Sequence, residues 1–101
     1  MTEAQEDMET EDKNQLMFIQ LVSMFQAAAM QQMGKLKNPM TDKVERDLEQ
    51  AQLSIDLIDM LKSKTKGNLS AEEDRFIATV LQELKLNYVD ETSRPAEKVP
   101  Q

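Results

Sequence analysis

The chain of 101 residues contains no cysteine, no histidine and no tryptophan. Without cysteine there is no disulfide framework, no thiol nucleophile and no zinc finger. Without histidine the commonest general base at neutral pH and the commonest transition-metal ligand are missing together. Glycine stands only at Gly34 and Gly67, proline at Pro39, Pro95 and Pro100, and the aromatics are Phe18, Phe25, Phe76 and Tyr88. So few breakers and rings point to a single all-helical domain with an aliphatic, Met-rich core.

Charge is unevenly spread. The formal net charge is −7. Residues 1–12 hold six acids and no base, residues 13–89 hold ten of each sign, and residues 90–101 hold three acids against two bases. The acidity belongs to the ends. A neutral body with an acidic arm is a poor electrostatic match for nucleic acid or an anionic membrane, and neither is expected as a partner. The first residues carry no basic stretch followed by an apolar run, so no secretory signal is expected and a cytoplasmic protein is. Residues 14–34 are uncharged, but their seven Asn, Gln and Ser side chains argue against a membrane span.

The pattern predicts three helices, at about 12–33, 42–66 and 71–89, between an acidic disordered tail over 1–11 and a disordered tail over 90–101. In the first helix Phe18, Val22, Phe25 and Ala29 form one stripe and Met17, Leu21, Met24 and Ala28 a second beside it. The remaining arc, with Leu16, Gln20, Ser23, Ala27 and Gln31, still lacks charge. An apolar arc this wide predicts burial against more than one neighbour. Gly34 suits the left-handed position that ends a helix. Asn38-Pro39 predicts a turn, after which Thr41 or Asp42 is expected to cap the second helix. There Val44, Leu48, Ala51, Ile55 and Ile58 form a heptad-like seam, and Leu53, Leu57 and Met60 an opposite one, so its second half is expected to be packed on both sides.

A tight corner follows. Gly67 is expected to stop the second helix, Asn68 and Leu69 to cross, and Ser70 with Glu73 to form a capping box for the third. So short a link predicts antiparallel neighbours. In the third helix Ile77, Val80, Leu81, Leu84 and Tyr88 make one stripe flanked by Phe76, with Leu86 and Val89 off it. Lys62, Lys64 and Lys66 beside Gly67 suggest a phosphate loop, but the order is wrong for one. Cations complementing a helix C-terminus account for them.

Asp56 and Asp59 share a face at i, i+3 and could hold a hard cation. Helical dicarboxylate sites use several Glu and His from facing helices, so a solvated edge is the simpler reading. Met17, Met24, Met30, Met33, Met40 and Met60 could line an adaptable groove, or be plain core. No serine has a histidine to activate it, and Ser70 is needed as a cap. No catalytic residue, metal ligand or cofactor is expected.

The elements Asn38-Pro39-x-Thr41, Asp47-Leu48-x-x-Ala51, Ile55-Asp56-x-Ile58-x-x-Leu61 and Lys64-Thr65-x-Gly67-Asn68-Leu69, followed by Glu73, resemble a family of short bacterial proteins catalogued as a domain of unknown function. The resemblance spans about residues 16–89 and implies a small cytoplasmic helical protein with no established activity or cofactor. Three helices in about 77 residues bury only roughly 60% of their unfolded surface, which is marginal for a monomer. A homo-oligomer is therefore expected, most simply a dimer, with Phe18, Leu21, Val22, Met24, Phe25, Ala28 and Ala29 at the interface. The alternative is an adaptor or regulatory subunit docking through the same helix on a larger protein.

Overall fold

A computed structural model describes the backbone of residues 3–94 and the side chains of residues 10–94. The order is α1 (Glu3–Gln32), β1 (Lys37–Asn38), β2 (Lys43–Val44), α2 (Leu48–Lys64) and α3 (Ala71–Thr92). The fold is all-α, a three-helix bundle with one two-residue antiparallel ladder in its first connection.

Three polar ties set the helix directions. Ser70 Oγ, at the start of α3, donates to Gln15 Oε1 at 2.8 Å, while Lys35 beyond the end of α1 meets Glu91 near the end of α3. Helices α1 and α3 are therefore parallel. Asp47 N–H donates to the Gln32 carbonyl at 2.7 Å, joining the end of α1 to the start of α2, so α2 runs back along α1. The bundle is up, down, up.

The core is the apolar stripe of each helix. Val22 and Ala29 of α1, with Met33 just past its end, meet Ala51, Ile55 and Ile58 of α2 and Ile77, Val80, Leu81 and Leu84 of α3, all buried. Phe18, Phe25, Leu48, Leu61, Phe76 and Tyr88 pack around them. The α3 stripe is the one its periodicity predicts.

Helix bounds differ from the sequence expectation most in three places; α2 also ends at Lys64 with Thr65 as its cap, two residues short of the expected Lys66 before Gly67. First, α1 begins at Glu3, inside the segment expected to be a disordered tail. Met1 and Thr2, and the C-terminal tail from residue 95, lie outside the described residues. Second, α2 begins at Leu48 with Asp47 as its cap, whose carboxylate accepts from Gln50 N–H at 3.2 Å; Thr41 and Asp42 do not cap it. The reason is local. Asn38 claims this segment first: its side-chain oxygen accepts from Met40 N–H at 2.9 Å, and its carbonyl accepts from Thr41 and Asp42 N–H at 3.2 and 2.7 Å. Asp42 completes the turn at φ 57°, in the left-handed region. Val44 thus lies half exposed on β2 and drops out of the helical seam. Third, α3 continues through Thr92, so Asp90 and Glu91 belong to it.

Candidate interaction surface

The corner forms as its residues dictate. Thr65 caps α2, and its hydroxyl donates to the Leu61 carbonyl at 2.8 Å. Gly67 adopts φ +87°, which an L side chain rarely tolerates. Asn68 N–H donates to the Thr65 carbonyl at 2.9 Å, and Leu69 packs against the core. Ser70 Oγ accepts from Glu73 N–H at 3.1 Å while Glu73 Oε1 accepts from Ser70 N–H at 2.7 Å, which completes the capping box. Gln15 adds a tie the pattern did not signal, holding Ser70 and, at 3.3 Å, Glu72 Oε2. The groove on one side of this corner is acidic, lined by Glu11, Asp12 and Glu73, and the groove on the other carries mixed charge from Lys62, Lys66, Asp59 and Asp74. That mixture does not suit a phosphate.

The two aspartates of α2 have partners. Asp56 accepts from Gln52 Nε2 at 2.8 Å, and Asp59 lies 3.8 Å from Lys85 Nζ. Among the described residues no three His, Cys, Asp or Glu side chains gather as a metal site.

At the other end of the bundle Glu91 is 6% exposed and forms the hub of an ion cluster. Its carboxylate lies 2.8 Å from Lys35 Nζ, 3.5 Å from Arg46 Nε and 3.6 Å from Arg94 Nε. Arg46 Nη2 also donates to the Glu91 carbonyl. The buried Arg46 Nε makes no hydrogen bond, so its contact with Glu91 is ionic only. Lys35 Nζ also reaches Asp90 at 3.0 Å. The hydrogen bonds that Lys35 donates to Glu91 and then to Asp90 hold its ammonium above its usual pKa. Lys35 likewise holds the Asp90 carboxyl below the ordinary aspartate range, with Arg94 adding to it. The sequence did carry a signal here. Glu91 continues the core register of Leu84 and Tyr88 at spacings of four and three, and a charge in that register needs a buried partner.

A second buried tie joins α1 to α2. The outer atom of the Gln32 amide lies 2.7 Å from Ser54 Oγ, 3.0 Å from the Gln50 carbonyl and 3.3 Å from the Ala28 carbonyl. Two of those neighbours can only accept, so that atom is the amide nitrogen. This contact fixes which edges of the two helices face each other.

The expected interface on α1 divides in two. Val22 and Ala29 are fully buried and Phe18 and Phe25 pack on the core, so these four are engaged within the chain. Leu21 and Met24 remain 40% and 63% exposed, and Ala28 is half-buried. With Met17, 50% exposed, they form a stripe at spacings of four, three and four. Turning about 100° per residue, Ala28 lies about 40° from Gln32, and Leu57 about 60° from Ser54. The α1 stripe and the α2 seam of Leu53, Leu57 and Met60 therefore flank the same α1–α2 edge, on the side away from α3. Leu53 and Met60 are about half exposed, so this half of α2 is covered on one side only and not, as its two seams suggested, on both. Helix α2 needs one neighbour per face, and three helices supply only the core side. The result is a two-helix-wide apolar face. Around it, α1 contributes no charge between residues 14 and 32.

Such an up-down-up bundle with one uncovered, largely apolar face is a small all-α helical protein. The chain belongs to the family described as Domain of unknown function (DUF1844), whose model matches residues 15–90. That span begins at Gln15 and ends at Asp90, taking in α2 whole and the core-packing parts of α1 and α3. No curated protein and no solved structure matches the chain significantly. Among the described residues no helix is long and apolar enough to cross a membrane.

Proposed function

We propose that this chain is a non-enzymatic helical interaction protein that associates with itself, most simply as a dimer. The observation that carries the reading is the stripe Met17, Leu21, Met24 and Ala28 on an uncharged helix face. A monomer helix normally turns charge toward water, since nothing is gained by leaving thioether and leucine side chains solvated. The neighbouring seam on α2 doubles the width of the face. With neither histidine nor cysteine, the polar residues at the corner and at the Glu91 cluster serve caps and ion pairs, which leaves them no role in turnover. The resemblance of the motifs to short bacterial proteins, and the absence of cysteine, support a bacterial cytoplasmic setting.

Sedimentation and light scattering test the reading. The parent chain is expected to be a dimer at micromolar concentration. Met24→Glu, at a side chain already 63% exposed in the folded chain, is expected to yield a folded monomer. A parent chain that is a stable monomer at that concentration would sink the proposal. A second reading, an adaptor docking through the same face on a larger protein, draws on Met17, Met24 and Met60, whose flexible side chains adapt to varied surfaces. It requires a foreign protein in stoichiometric complex, and self-association does not.

A further inference from the structure

We propose that two copies pack their α1 helices antiparallel, with the acidic first turns of each set over the β1–β2 hairpin of the other. The inference rests on the self-association proposed above and specifies its geometry.

Bulk is the first argument. The exposed stripe reads large, large, large, small: Met17, Leu21, Met24, Ala28. Run parallel, like faces like, and two alanines meet across a gap while pairs of methionines crowd. Run antiparallel about a two-fold axis midway between Val22 and Ser23, Met17 stands opposite Ala28 and Leu21 opposite Met24. Large then faces small at both ends of the stripe, leaving only the central Leu21–Met24 pairs large on large, and no gap opens between two alanines.

Charge selects the same orientation. The α1 helix carries six acids within residues 3–12 and none beyond, while the hairpin past its other end exposes Lys37 and Lys43 alongside Asp42 and Glu45, a balanced set. A parallel pair sets six acids beside six. The antiparallel pair moves the two arms to opposite ends and brings each near those lysines. Lys37 has only a loose pair with Asp42 at 3.9 Å to give up, whereas Lys35 and Arg46 are already held by Glu91.

The face is large enough. The uncharged run of α1 over residues 14–32 is about 28 Å long, and two helices side by side present a width of about 20 Å. That projection of roughly 560 Å² carries accessible surface comparable to the ~800 Å² a stable interface buries on each partner.

The chain has no cysteine, so single cysteines report without background. Met17→Cys and Ala28→Cys are made separately in the full chain and oxidised alone and mixed. In the antiparallel dimer a cysteine at 17 lies about 16 Å along the axis from its own copy, beyond disulfide reach, but level with a cysteine at 28. The expected result is a mixed cross-link between the two variants and little self-cross-linking of either. Efficient self-cross-linking of Met17→Cys would overturn the orientation while leaving self-association intact. A dimer that forms neither cross-link would remove the stripe from the interface. A monomeric parent chain would instead defeat the underlying function.

Discussion

Replacing Glu91 with alanine should be among the most damaging single changes in this protein. Glu91 is 6% exposed and its carboxylate faces three cations, from the segment after α1, from the lead-in to α2 and from just past α3. Removing one partner of a buried ion pair typically costs about 3–5 kcal/mol, since the remaining charge stays desolvated. That figure must be reduced here. Arg46 is 12% exposed and pays nearly in full, but Lys35 at 21% and Arg94 at 58% can turn toward water. The expected loss is about 2–4 kcal/mol, or about 10–25 °C in Tm for a domain of this size. Glu91→Gln keeps the shape and one acceptor while losing the charge, and should cost about half as much. Thermal melts followed by far-ultraviolet circular dichroism, at a concentration where association is constant, measure both. A Glu91→Ala protein melting within about 3 °C of the parent would show that the cluster is ornamental and that the helix ends are held by apolar contacts alone.

Further outcomes follow from the same structure. Asp90 has its pKa depressed in the folded chain, so its contribution is present above the ordinary aspartate value and fades as pH falls through the lower folded value. The deficit of Asp90→Asn relative to the parent should therefore be constant near neutrality and vanish in strong acid; a deficit that persists there refutes the tie to Lys35. Lys35, raised, behaves oppositely: its contribution is complete below the usual lysine value and is lost only above it. At Gly67, φ is +87° and a Cβ would meet nothing within 4 Å, so Gly67→Ala should cost only backbone strain, about 1 kcal/mol. Gly67→Asn should cost less, and chemical denaturation giving no loss for alanine would contradict the left-handed assignment.

How far the sequence could be read depended on whether the cause was local. The capping box at Ser70 and Glu73 and the α3 stripe were legible because each rests on residues three or four apart on one helix. The start of α2 was misplaced because two local signals competed. Thr41 and Asp42 are good caps, but Asn38 had already captured their amides in a turn, and Asp47 took the role. Of the seven α1 residues expected at an interface, periodicity identified all as apolar. It could not say which stripe the chain's own helices would cover. Phe18, Val22, Phe25 and Ala29 went inward, and Leu21 and Met24 stayed out. The Gln15–Ser70 and Gln32–Ser54 contacts had no signal at all, since an amide's partner dozens of residues away leaves no mark on local pattern.

The sequence by itself determined that this protein is helical, where its tight corner lies and that one helix is apolar beyond the needs of a single neighbour. Periodicity, caps and breakers act within a few residues, and those properties follow from them. Only the tertiary structure decided that α1 runs parallel to α3, that Glu91 is a buried hub and that the uncovered face spans α1 and α2. Those depend on the rotation of one helix against another, which long-range contacts set.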